Sequence, residues 1–193
     1  MRVLGLIPAR ANSERLPGKH LLDCAGKPLI EWTIEAATAA KMLSRVVNST
    51  DCHEIINRYN RYAVRRAESL GGPHVPTIAV ARYVVRNLED LYDAVCILQP
   101  TSPLRTADDI DECIGRLLLN PWADSVISYS VSGSQYTLTT NGAIYLVRTE
   151  VLAGRSLMGR NWLPYIMPAS HAVDIDTAED LAHAEILLSH RTE

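Results

Sequence analysis

Cysteine is sparse in this 193-residue chain: Cys24, Cys52, Cys96 and Cys113 lie far apart, with no C-x-x-C pair. No disulfide framework follows from that spacing, and the four read as reduced thiols of a cytoplasmic protein. Long apolar runs are missing too. The amino-terminal one is cut short by Pro8 and has no small-residue cleavage site, so neither a signal peptide nor a membrane span is expected. Charge of one sign is not in excess. A net charge of −3 implies neither a nucleic-acid-binding nor a membrane-attracted surface. Repeats, low-complexity tracts and an interior linker are absent, so residues 1–193 read as one domain. Two glycine signatures also fail. No G-x-G-x-x-G follows the first apolar run, and a P-loop would need Gly where Ser13 stands and Ser or Thr where His20 stands.

What is present is the composition of a globular chain, 47% apolar and 21% charged, long enough to bury a full core. Short apolar runs alternate with helical periodicity. Strands are expected at residues 3–7, 45–49, 62–65, 94–98, 124–129 and 141–147. Helices are expected at residues 29–42, 52–61, from Pro76 and Thr77 onward, at 107–119 and 181–188. Such alternation predicts a three-layer αβα domain with a mainly parallel, mixed, Rossmann-like sheet. The run at 94–98 is the most apolar in the chain and reads as a central strand buried on both faces.

The first strand must stop at Pro8, which lacks the N–H to continue a ladder. Beyond it lie small and polar residues with Arg10, Arg15 and Lys19, a loop whose amides and cations can converge on phosphate oxygens. Charge alone fits a solvated basic loop equally well. Near the other end, residues 172–180 read AVDIDTAED. In an extended segment Asp174 and Asp176 share one side while Ile175 turns to the other. Thr177, Glu179 and Asp180 are accounted for by a helix start. Capping does not require Asp174 or Asp176. Two hard oxygen donors of this kind suit Mg2+, which takes one or two carboxylates plus substrate phosphates. Between these ends, Pro100 and Pro103 bracket Thr101 and Ser102, and force residues 99–105 out of the sheet as a rigid loop.

The order of these residues resembles the cytidylyltransferases that activate acidic sugars, the acylneuraminate (sialic acid) group with its Kdo relative. Its strand-loop reads close to I-P-A-R-x-x-S-x-R-L-P-x-K-N. This chain matches at Ile7, Pro8, Ala9, Arg10, Ser13, Arg15, Leu16, Pro17 and Lys19, and differs at His20, where Asn is usual. The octet LQPTSPLR, the stretch NGAIY and the stretch DIDTAEDL match further motifs in the same order, and residues 65–68 match a fourth more loosely, with Arg66 in place of Pro.

The resemblance implies a fold of the nucleotide-diphospho-sugar transferase type, a homodimer with residues 150–168 as its contact segment, and CTP, Mg2+ and an acidic sugar as ligands. By the same resemblance Ala9, Arg10, Ser13, Lys19, Arg65 and Thr77 bind the nucleotide, and Gln99, Asn141 and Tyr145 face the sugar. Asp174 and Asp176 hold the metal, and Arg10, Lys19 and Asp176 carry the chemistry. Residues 130–140 depart from the pattern, being short and devoid of Lys and Arg where the family supplies partners for the sugar carboxylate. Arg155, Arg160 and Trp162 are candidates to replace them from a second subunit. A related enzyme using another nucleoside triphosphate or a Kdo-type sugar, and a non-catalytic CTP-binding homologue, stay open at this point.

Overall fold

The computed structural model of the chain describes residues 1–132 and 137–190. In chain order the elements are β1 (Val3–Ala9), β2 (Asp23–Cys24), β3 (Lys27–Pro28), α1 (Leu29–Ala39), β4 (Arg45–Thr50), α2 (His53–Arg58), β5 (Ala63–Arg65), α3 (Thr77–Asn87) and β6 (Ala94–Leu98). They continue with α4 (Ala107–Leu119), β7 (Ser125–Ser132), β8 (Thr137–Arg148), β9 (Trp162–Ile166) and α5 (Ala178–Ser189), with short 3-10 turns between.

Among the described residues, seven strands form one sheet in the order β5-β4-β1-β6-β8-β7-β9, and β2 and β3 pair as a separate small ribbon. In the seven-stranded sheet β8 runs antiparallel to both β6 and β7, whereas the other pairings of that sheet are parallel. The sheet is thus mainly parallel and mixed, as expected. β1 and β6 lie at its centre because their residues are apolar on both faces and each face is covered. Val3, Ile7, Cys96 and Leu98 pack with Ile30, Ile34, Ile110, Ile114 and Leu117, the inward stripes of α1 and α4. Leu4, Leu6, Val95 and Ile97 pack with Ile78, Ala81 and Val84 of α3 on the other side. Each such side chain contributes about 1.5–3 kcal/mol on burial, so these two strands hold the site's foundations rigid.

The helix starts follow the sequence closely. Thr106 and Asp109 form a reciprocal capping box at α4, and Thr177 and Asp180 form another at α5. Three expectations change. Asn141 and Gly142 do not make a turn that opens a strand. They lie inside β8, whose pairing with β7 jumps from Tyr129↔Thr140 to Ile127↔Tyr145, so that four residues of β8 bulge against Ser128. The strand expected at 124–129 runs on as β7 to Ser132 and pairs with β8 there, so 130–132 and 137–140 are hairpin arms; residues 133–136 lie outside the described residues. Finally, residues 162–166, outside the expected strands, form the edge strand β9 with Trp162 stacked on Tyr129 at 5.5 Å. Pro164 is tolerated because only one side of β9 is paired.

Candidate active site

Strands β1, β4 and β6 all end at one edge of the sheet. From β1 the chain goes on to β4 on one side, and from β6 it goes on to β7 on the other, so the loops at residues 10–18 and 99–105 part and leave a cleft. It encloses about 490 Å³ and is lined by Arg10, Ser13, Arg15, Lys19, Thr77, Gln99, Thr101, Asp174 and Asp176, among others. The two ends of the chain meet there. Lys19, only 7% exposed, donates from Nζ to the Ile175 carbonyl at 2.8 Å and to Asp176 Oδ1 at 2.9 Å. Arg15 pairs with the other oxygen of Asp176. A buried ammonium needs such partners, whereas the exposed Arg15 pair contributes little to stability and is easily exchanged.

Local structure explains the placement. Gly18 adopts φ 66°, a left-handed conformation that suits glycine, and turns the chain into the 3-10 turn Lys19–Leu21. Asp51, just past β4, accepts from the Ala11 amide at 2.7 Å and pins the loop from below. The segment that carries the two aspartates, between the 3-10 turn Ala169–His171 and α5, is docked by one backbone bond, Ile175 N to Thr101 O at 2.8 Å, with Ile175 fully buried. Asp174 and Asp176, on either side of that buried residue, both line the cleft. Burial raises the Asp174 pKa above the ordinary carboxylate value, with the charge of Asp176 adding and the Thr101 hydroxyl and Lys19 opposing. Among the described residues Asp174 has no ion-pair partner, and no group of three or more His, Cys, Asp or Glu is arranged to enclose a metal. The pair therefore offers hard oxygens on one side and leaves the other side of any cation to a ligand.

Not every predicted site residue lies in the lining. Ala9 is fully buried at the end of β1, so its side chain faces the core. Arg65 is exposed and outside the lining. Its neighbour Arg66 enters instead, 6% exposed, with Nη2 donating to the Ser49 carbonyl at 2.9 Å and its pKa lowered by burial. Asn141 is turned to the bulge. Its Oδ1 accepts from the Ser128 hydroxyl at 2.5 Å and from the Ala143 amide at 3.2 Å, and its Nδ2 reaches Met167 Sδ. The bulge does reach the site through Gly142, φ 77°, whose missing Cβ would stand 3.7 Å from Asp174 Oδ2 and 3.8 Å from Gln99. Tyr145 packs half-buried on the α3 side, close enough for the Asp174 charge to add to burial in raising its pKa. Arg155 and Arg160 line a separate hollow with Asp124, before the start of β7, and not this cleft. His20 does line the cleft. Its Nδ1 is 3.1 Å from the Arg10 carbonyl, and burial, with Lys19, Arg66 and Arg10 around it, lowers its pKa to about 4, so the ring is neutral.

A cleft with cations from the first loop facing two carboxylates from the segment that leads into α5 suits a substrate rich in phosphate and carried with a cation. Residues 4–166 match the family model described as cytidylyltransferase. The chain belongs to the cytidylyltransferase family. It is 29% identical to a pseudaminic acid cytidylyltransferase of Campylobacter jejuni, over 97% of this chain and 96% of that one. It is 30% identical to a CMP-N,N'-diacetyllegionaminic acid synthase of Legionella pneumophila, over 97% of each. A solved structure of CMP:2-keto-3-deoxy-manno-octonic acid synthetase complexed with CTP superposes with a TM-score of 0.84 at 19% identity, covering 99% of this chain and all of that one, which shows that this cytidylyltransferase shares its fold.

Arg66 and Asp51 carry no local sequence signal of a role at this cleft. Arg66 sits where the resembled pattern has Pro, and Asp51 stands where a helix start would place an acid anyway.

Proposed function

We propose that this cytidylyltransferase couples CTP to a nonulosonic acid of the sialic, legionaminic or pseudaminic kind, giving the CMP-sugar and pyrophosphate. The observation that carries this reading is the single cleft in which Arg10, Ser13 and Lys19 face Asp174 and Asp176, with Gln99 and Thr101 between. In it the anomeric hydroxyl attacks the α-phosphorus. The bond to the β-phosphate breaks, pyrophosphate departs and the hydroxyl proton is lost.

Arg10 and Lys19 hold the triphosphate and stabilise charge on the departing oxygens. Thr77 and the buried Arg66 stand on the nucleotide side, Gln99 and the Asn141–Gly142 bulge on the sugar side. Asp174 and Asp176 fit Mg2+ in donor chemistry, since among the described residues Asp174 has no ion-pair partner and Asp176 has one exposed, exchangeable partner in Arg15 beside the buried Lys19. When bound, the ion would polarise the phosphate and favour ionisation of the attacking hydroxyl. The neutral His20 fixes the Arg10 carbonyl and leaves the loop's positive charge to Arg10, Arg15 and Lys19.

A homodimer belongs to the same reading. Trp162 and Ile166 of the edge strand β9 are 40% and 44% exposed within the segment that the resemblance assigns to the contact. Arg155 and Arg160 would then serve a partner's sugar, since residues 137–140 offer no cation. That lack also keeps a Kdo-type sugar as a second reading. Pyrophosphate release with CTP and Mg2+ is measured across Neu5Ac, legionaminic, pseudaminic and Kdo sugars. Turnover with a nonulosonic acid and CTP is expected. Binding of CTP without turnover of any of them would refute the enzyme, and preference for Kdo would refute the substrate class.

A further inference from the structure

Beyond Leu98↔Ile144, the last rung that β6 shares with β8 before the bulge, Gln99 and Ala143 stand next in register but do not bond each other. Both carbonyls turn instead to one guanidinium, the Gln99 carbonyl accepting longer bonds from the Ser102 amide at 3.4 Å and the Thr33 hydroxyl at 3.5 Å as well. Arg105 Nη1 donates to the Gln99 carbonyl at 3.1 Å and to the Ala143 carbonyl at 2.8 Å, and Nη2 donates to Thr33 Oγ1 of α1 at 2.7 Å. Arg105 is 1% exposed and has no carboxylate within ion-pairing distance among the described residues. Burying an unpaired cation is costly, and burial lowers its pKa to about 10. Such a group is retained where its planar fork does what no other side chain can. Here it satisfies carbonyls that the end of β6 and the bulge of β8 leave without ladder partners, and it stands between the strands where they part.

We propose that Arg105 is a positioning residue that sets the width of the sugar half of the cleft. By spanning from the Gln99 carbonyl to the Ala143 carbonyl it fixes the gap between the Gln99 loop and the Asn141–Gly142 bulge. It touches neither nucleotide nor sugar. A lysine in its place keeps the charge but loses the fork, so the two loops drift relative to each other while the cationic loop after β1 stays put. This rests on the reading that an acidic sugar lies against Gln99 and the bulge.

The test is Arg105→Lys, with Thr33→Val as a second variant that keeps the side-chain shape and removes both the Arg105 acceptor and the long bond that the Thr33 hydroxyl donates to the Gln99 carbonyl at 3.5 Å. Two readouts are taken: the sugar KM against the CTP Kd, and amide hydrogen exchange of the free protein. Each variant is expected to raise the sugar KM about tenfold with CTP affinity changed less than about twofold, because small misplacements are felt at the substrate they orient. Faster exchange is expected in residues 99–102 and 141–144, with β4 and the loop after β1 unaffected. An unchanged sugar KM, or equal weakening of CTP, in whichever variant folds overturns the proposal. If the wild-type protein binds CTP but turns over no sugar acid, the proposed function fails. The exchange data then decide for Arg105: local acceleration supports it, and no local change overturns it.

Discussion

Acidification from about pH 7.5 to about pH 5 is expected to destabilise this protein, with a separable share coming from His20. Its ring is 9% exposed, bonded through Nδ1 to the Arg10 carbonyl, and titrates near 4 in the folded chain against an ordinary 6.5. Burial is the larger cause, and Lys19, Arg66 and Arg10 add to it. The folded pKa is depressed, so the unfolded chain takes up the proton first as pH falls. Stability is therefore full above about pH 6.5 and is lost progressively toward pH 4. Linkage gives a loss of about 2 kcal/mol at pH 5 and on the order of 3 kcal/mol by pH 4. For a domain of this size about 2 kcal/mol corresponds to a Tm drop of roughly 4–8 °C. The assay is thermal unfolding of the wild type and of His20→Asn at both pH values. Asp90, Asp109, Asp124 and Asp180, whose pKa values are lowered, titrate alike in both proteins, so the difference between the two Tm drops isolates the imidazole. A drop in His20→Asn as large as in the wild type would refute the reasoning.

Asp176→Asn is expected to lose about a hundredfold or more in turnover. Its Tm is expected to stay within a few degrees, because this carboxylate is 43% exposed. Pyrophosphate release with Mg2+ and a melt in parallel check both halves. Ser128→Ala leaves the buried Ile144 amide, now bonded to Ser128 Oγ at 2.8 Å, without its acceptor. It is expected to destabilise by about 1–3 kcal/mol in urea denaturation. Asp51→Ala frees the Ala11 amide, and the loosened loop is expected to bind CTP about five- to tenfold more weakly by calorimetry.

What could be read from the sequence was whatever is encoded within a few residues. β6 is legible because five consecutive apolar residues fit only a strand covered on both faces. The starts of α4 and α5 are legible because a Thr and an Asp three residues apart satisfy each other's amides. Arg10, Ser13 and Lys19 on one side and Asp174 and Asp176 on the other were legible as chemistry, through charge, spacing and family resemblance. Their meeting in one cleft depends on strand order, which no local pattern fixes.

The features that escaped are long-range. Asn141-Gly142 looks like a hairpin turn from its own residues. Whether it bends a chain back or swells inside a strand is decided by Ser128, thirteen positions earlier, whose hydroxyl holds the Asn141 side chain and the Ile144 amide. β9 is disguised by Pro164, which is excluded only from strands paired on both sides, and its edge position is set by β7. Arg105 was visible as the last letter of a matching octet, yet its use follows from carbonyls at residues 99 and 143 that a proline and a bulge take out of the strand ladder. A local signal therefore identifies the groups proposed to react. The distances between those groups are set by side chains that satisfy backbone atoms far away in sequence, and substitutions there should separate sugar recognition from nucleotide binding more cleanly than substitutions in the cationic loop.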